Sequence, residues 1–104
     1  MIANVDQASL FLKALSGRSR LLLLCHLWDG EQSVGELARL TNARDTAVSQ
    51  QLALLRRQGL VAARRSGQTI YYSLSSPEAK QMLMTLHGLM CGNDVKADDR
   101  ADAA

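Results

Sequence analysis

Apolar positions fall first at helical spacing and later at alternating spacing along this chain. Leu10, Phe11, Ala14 and Leu15 share one face of a helix predicted from Asp6, as its cap, to Leu15, with Ser16-Gly17 as its stop. Arg18 to Asp29 predicts a second helix. There Leu21, Leu24, Cys25 and Trp28 follow i, i+3, i+4, i+7 and define the expected inward face. Ser33-Val34-Gly35-Glu36 has the S-x-x-E pattern of a capping box and opens a short third helix through Leu37, Ala38 and Leu40. Thr41-Asn42-Ala43 is a tight break, with Asn42 suited to a left-handed backbone. A fourth helix follows to about Gln58, with Val48, Leu52 and Leu55 inward and Gly59 as its C-terminal stop. The period then changes. Leu60 to Ala63 and Thr69 to Leu74 read as two strands of a hairpin, joined by the basic tip Arg64-Arg65-Ser66-Gly67-Gln68. Ser76-Pro77, a cap followed by proline at the first helical position, starts a last helix. Ala79, Met82, Leu83, Leu86 and Met90 form its stripe, and Cys91-Gly92-Asn93 ends it.

The elements amount to a mainly α domain of order ααααββα over residues 1–93, with an aperiodic Ala/Asp-rich tail, expected to be disordered, over 94–104. With 104 residues, 47% of them hydrophobic, the chain builds one small core and has no room for separate cofactor and substrate domains. Its longest apolar run, Leu21 to Trp28, is too short to span a bilayer and contains His26. Met1-Ile2-Ala3-Asn4 lacks the basic start of a secretory signal. With only two cysteines, the expectation is a cytoplasmic protein in a reducing compartment, away from the membrane and without a disulfide scaffold. Net charge is +2, but the tail holds four Asp against Lys96 and Arg100, so residues 1–93 carry +4. Four of their ten basic residues lie between Arg56 and Arg65, a local cluster suited to phosphate.

Helix, three-residue turn, helix and basic hairpin together describe a winged helix-turn-helix. The outer face of the fourth helix carries Thr46, Ser49, Gln50 and Ala53, side chains short enough for the helix to lie deep in a major groove. Gln pairs with adenine, and Ser or Thr bonds a base edge or a phosphate. Arg64 and Arg65 on a flexible tip suit the adjacent backbone or minor groove, and Arg44 and Arg56 flank the helix as phosphate ligands. The candidate DNA contacts are Arg44, Thr46, Ser49, Gln50, Gln51, Arg56, Arg64, Arg65 and Thr69. A C-x-x-C motif, a Gly-rich phosphate loop and paired cleft carboxylates are all missing, so no enzyme activity and no cofactor are expected.

Thr46-Ala47-Val48-Ser49-Gln50-Gln51-Leu52 through Leu55, then Gly59-Leu60-Val61, Arg64-Arg65-Ser66-Gly67 and Tyr72-Ser73-Leu74, resemble the ArsR/SmtB family of bacterial repressors. That family's pattern runs V-S-[QR]-H-L, G-L-V, R-R-x-G and Y-x-L. Ala14-Leu15-Ser16 and Arg20-Leu21-Leu22 extend the match upstream, so it covers nearly all but the tail. The resemblance implies a homodimer built from the first and last helices. It would bind a twofold-symmetric operator with recognition helices roughly 34–36 Å apart. Gln51 stands where many members have His, and Arg44 where a Ser often caps the recognition helix. These departures bear on operator preference and cap strength.

Most members of that family sense metals. The C-x-C of one familiar site is absent from Ser33-Val34-Gly35-Glu36-Leu37, and the last helix offers only His87 and Cys91. Cys25, His26, His87 and Cys91 do not make four zinc ligands without an assumed geometry. No metal residue is assigned, and a zinc- or copper-responsive repressor is kept as an alternative. The two thiols, Cys25 and Cys91, with Leu23-Leu24-Cys25-His26-Leu27 and the Leu-Met-Cys ending, resemble the SqrR/BigR-type sulfide sensors. In that subgroup two thiols of one subunit react with persulfides and become bridged by sulfur, releasing genes for sulfide handling. Reactive sulfur species are the inducer this implies; a general thiol-oxidation sensor is the other alternative. Taken singly, Cys25 reads as a core residue and Cys91 as a helix-end residue.

Overall fold

The computed structural model describes residues 1–90. Its core forms where five helices and a small sheet turn their apolar faces to one another. After a 3₁₀ turn at Ile2–Asn4, the elements are α1 (Val5–Ser16), α2 (Arg18–Leu27), β1 (Gln32–Ser33), α3 (Val34–Thr41), α4 (Asp45–Arg57), β2 (Val61–Ser66), β3 (Thr69–Leu74) and α5 (Pro77–Met90). The expected winged helix-turn-helix is present, with one addition. The two-residue β1 pairs antiparallel with β3, making a three-stranded sheet of order β1-β3-β2. Cys91 and the 94–104 tail lie outside the described residues.

Local signals hold at most element ends. The Ser33 Oγ accepts from the Glu36 amide at 3.1 Å, half of the expected capping box. The Glu36 carboxylate does not complete the box; it pairs with Arg39 one turn on. Asn42 ends α3 with φ 54°, and its amide closes back on Ala38 and Arg39. Gly59 follows α4 with φ 75°. Ser76 Oγ accepts from the Ala79 amide at 3.0 Å at the start of α5. The strand reading needs extending: Arg64, Arg65 and Ser66 belong to β2, and only Gly67-Gln68 turn the chain, Gly67 with φ 63°. A two-residue turn with glycine first matches the twist of the flanking strands. Asp6 is not the cap of α1; Asn4 holds that position, without a side-chain bond.

Leu24, Leu37, Leu52 and Leu55 are fully buried, with Val48, Leu60, Val61, Leu74 and Ala79 around them. The inward face of α4 is the expected one. That of α2 is not. Leu23, Leu24 and Leu27 are buried, whereas Leu21 is half-buried and Cys25 and Trp28 are exposed. Four consecutive leucines make α2 apolar around its circumference, so periodicity leaves its orientation open, and packing turns it by one position. Leu10 on α1 and Met90 on α5 likewise face outward rather than into the core.

Candidate nucleic-acid interface and thiol site

The buried stripe of α4 fixes which of its side chains meet solvent. With Val48, Leu52 and Leu55 locked inward, Thr46, Ser49, Gln50 and Ala53 are exposed, and Gln51 lies half-buried at the edge. Arg44 is the N-cap residue and offers no side-chain cap bond, and among the described residues no other side chain accepts from the opening amides of α4. Arg56 is exposed in the last turn, about 18 Å along the axis from Arg44. The two arginines bracket the exposed polar face.

Strand alternation separates the two hairpin arginines. Arg64 and Arg65 leave opposite faces of β2. The Arg64 Nε donates to Glu31 Oε2 at 2.9 Å and Nη2 to Oε1 at 2.7 Å, a bidentate pair. Its guanidinium also lies 4.8 Å from the centroid of Tyr71, its register partner on β3. The hydrogen bond from Arg64 holds the Glu31 carboxyl below its ordinary range, and the same bond raises Arg64. Arg65 makes no ion pair among the described residues and stays exposed opposite Ile70, while Thr69 is exposed opposite Ser66. Sequence reasoning missed Glu31 as a partner; it lies 33 residues from Arg64, and no local pattern joins them.

On α4's other flank, Arg20 of α2 reaches the helix. Its Nη1 donates to Gln51 Oε1 at 3.3 Å, while Nε and Nη2 donate to the carbonyls of Ala14 and Lys13 at 2.8 and 3.1 Å. Cys25 is exposed on the outer side of α2, one residue beyond the fully buried Leu24. Its expected partner, Cys91, follows the last described residue of α5. Among the described residues no cluster of three or more His, Cys, Asp or Glu could hold a metal, and no helix is long and apolar enough to cross a membrane.

Residues 17–63, from the start of α2 into β2, match the family model described as bacterial regulatory protein, arsR family. The chain is 47% identical to the transcriptional activator HlyU of Vibrio cholerae over 88% of its own length and 84% of that protein's. It is 36% identical to the biofilm growth-associated repressor of Xylella fastidiosa, over 93% and 85% of the two chains. Among solved structures, reduced HlyU from Vibrio cholerae superposes with a TM-score of 0.82, at 47% identity over 88% of this chain and 96% of the other. The repressor BigR from Xylella fastidiosa gives 0.83 at 37% identity, over 88% and 93%. These relatives are named as regulators of transcription, none as an enzyme. With the helix-turn-helix inside the matched residues and a relative 47% identical over most of both chains, the chain belongs to the arsR family of bacterial transcriptional regulators.

Proposed function

We propose that this regulator is a homodimeric repressor whose α4 enters the major groove of a twofold-symmetric operator and whose β2–β3 wing meets the flanking backbone. The observation that carries the reading is the exposed face of α4. Thr46, Ser49 and Gln50 project from a helix whose opposite side is fully committed to the core, with Arg44 and Arg56 at its two ends. The uncapped amides at the start of α4 suit a phosphate oxygen. Exposed Val5 and Leu12 on α1, with Met84, Leu89 and Met90 on α5, supply the dimer surface.

The inducer in this reading is a reactive sulfur species acting on Cys25 and Cys91. Exposure of Cys25 supports it, since a core position would close the thiol to a donor. Each thiolate attacks the outer sulfur of a donor R–S–SH; a cysteine persulfide forms and RS⁻ leaves. One persulfide anion then attacks the inner sulfur of the other, a three-sulfur bridge forms and HS⁻ departs. Donor sulfur is reduced to thiol and sulfide as the cysteines are oxidised, so no further oxidant enters. The bridge would tie α2 to the end of α5 and alter the angle between recognition helices. A coupling of ordinary size lowers operator affinity about 5- to 150-fold.

Intact mass under anaerobic conditions, with alkylation of remaining thiols, tests this directly. A sulfane-sulfur donor should yield a monomer-mass species with added sulfur and both thiols protected. Peroxide in a parallel arm reads out general thiol oxidation. If both thiols remain open to alkylation after the donor, the sulfur switch is wrong. The Cys25→Ser and Cys91→Ser variants should bind DNA and ignore the donor; normal release by either would also refute it.

A further inference from the structure

Arg20 belongs to the α1–α2 junction, yet one of its donors ends on the recognition helix. Two of its three hydrogen bonds go to carbonyls in the last turn of α1, those of Ala14 and of Lys13, the latter also accepting from the Ser16 Oγ. A guanidinium there is favoured by the dipole of α1 and is held at a fixed place. Its third bond goes to Gln51 Oε1. A guanidinium only donates, so Gln51 must turn its oxygen inward. Its NH₂ group makes no hydrogen bond among the described residues and is left for another partner. Gln51 also borders a pocket of about 140 Å³ between the start of α2 and α4, beside Arg18, Ser19 and Gln50. Gly17 makes the arrangement possible by its lack of a side chain. A Cβ there would lie 2.8 Å from Arg20 Cζ and Nη2, although the Gly17 backbone itself is ordinary, with φ −74° and ψ 134°.

We propose that Arg20 is a positioning residue for sequence preference: by accepting no bond and engaging the Gln51 oxygen, it makes Gln51 present an amide donor to DNA. The inference rests on α4 being the DNA-reading helix. An adenine contact through both amide atoms needs the oxygen as well as the nitrogen. With the oxygen engaged, Gln51 favours edges that offer acceptors, such as N7 and O6 of guanine. Arg20 acts through Gln51 and from the frame of α1, the helix proposed to form the dimer.

The test is selection from a randomised duplex pool by the full chain. Anisotropy titrations follow, on the selected duplex and its single-position variants, for wild type, Q51A, R20A and G17A. Q51A should flatten preference at one symmetric pair of positions. R20A and G17A should shift preference at the same pair toward adenine, by about threefold to tenfold, and nowhere else. R20A combined with Q51A should behave as Q51A alone. G17A leaves the chemistry of Arg20 intact and displaces only its guanidinium, so the test survives if R20A does not fold. Wild-type preference in folded R20A or G17A, an unaltered profile in Q51A, or an equal loss on all sequences in R20A and G17A would each overturn the positioning role. Enrichment of no sequence by the wild-type chain would instead remove the DNA-reading helix itself, and this inference with it.

Discussion

A charge on the wing can serve a phosphate only as far as it is available, and Arg64 is already engaged. Glu31 holds it with two hydrogen bonds and Tyr71 stacks beneath it. Glu31→Gln keeps the shape and removes the competing charge. The variant should bind DNA more tightly, with the slope of log affinity against log salt steeper by about one phosphate contact. An unchanged slope would mean that Arg64 never leaves for phosphate. The pair also predicts a direction with pH. The Glu31 carboxyl, ordinarily near 4.5, is lowered by the Arg64 bond. Its folded value is thus below its unfolded one. The contribution is fully present above the unfolded value and fades as pH falls through the lowered folded value. Both groups face solvent, so the effect on stability is small and screened by salt. In the Arg64→Ala variant the Glu31 resonance should titrate at its ordinary pH; a titration still displaced would assign the shift to another group.

Capping separates the two helices of the DNA-binding motif. α3 has Ser33 accepting from Glu36; α4 has Arg44 in the same position with no side-chain bond. Ser33→Ala should therefore cost about 0.5–2 kcal/mol, read as a lower melting temperature. Arg44→Ser should do the reverse and stabilise by about 1 kcal/mol. It should also weaken DNA binding and make the salt slope shallower by about one contact. Higher stability with unchanged DNA affinity would free Arg44 of any phosphate role. The Ser33 and Ser76 caps were legible in the sequence because each bond joins residues three apart, whereas the Asp6 expected to cap α1 gives way to Asn4. The inward face of α4 was legible for a related reason, since Val48, Leu52 and Leu55 recur at helical spacing and Ser49-Gln50-Gln51 separate the first two with polar positions. The face of α2 was not, because the run from Leu21 to Leu24 satisfies more than one orientation and α3, α4 and the sheet decide between them. Neither was β1: a two-residue strand has no period, and it exists only by pairing with Tyr71 and Tyr72. The site divides in the same way. The exposed residues of α4 followed from periodicity, whereas the contacts of Arg20 with Gln51 and of Arg64 with Glu31, 31 and 33 residues apart, depend on the finished fold.

At the scale of the whole molecule, the apolar surface is uneven. The core takes Leu15 from α1 and Ala79 and Leu83 from α5, while Leu12 and Met84 on the same two helices stay 53% and 59% exposed. Such side chains on both ends of the fold are consistent with burial against a second copy, and a twofold operator needs two recognition helices held together. Leu12→Glu and Met84→Glu each place a charge on this surface without touching the core. Each should give a monomer by sedimentation equilibrium with an unchanged far-UV spectrum. Operator affinity should fall by about 100-fold or more, because the second half-site is then no longer delivered by the first. Binding to a single half-site should be unchanged, since α4 and the wing are intact within each protomer. A variant that stays dimeric and binds the full operator normally would move the interface off these two helices. It would also detach the thiol switch from the geometry of the dimer, because a bridge at the end of α5 acts on the recognition helices only if α5 carries the partner.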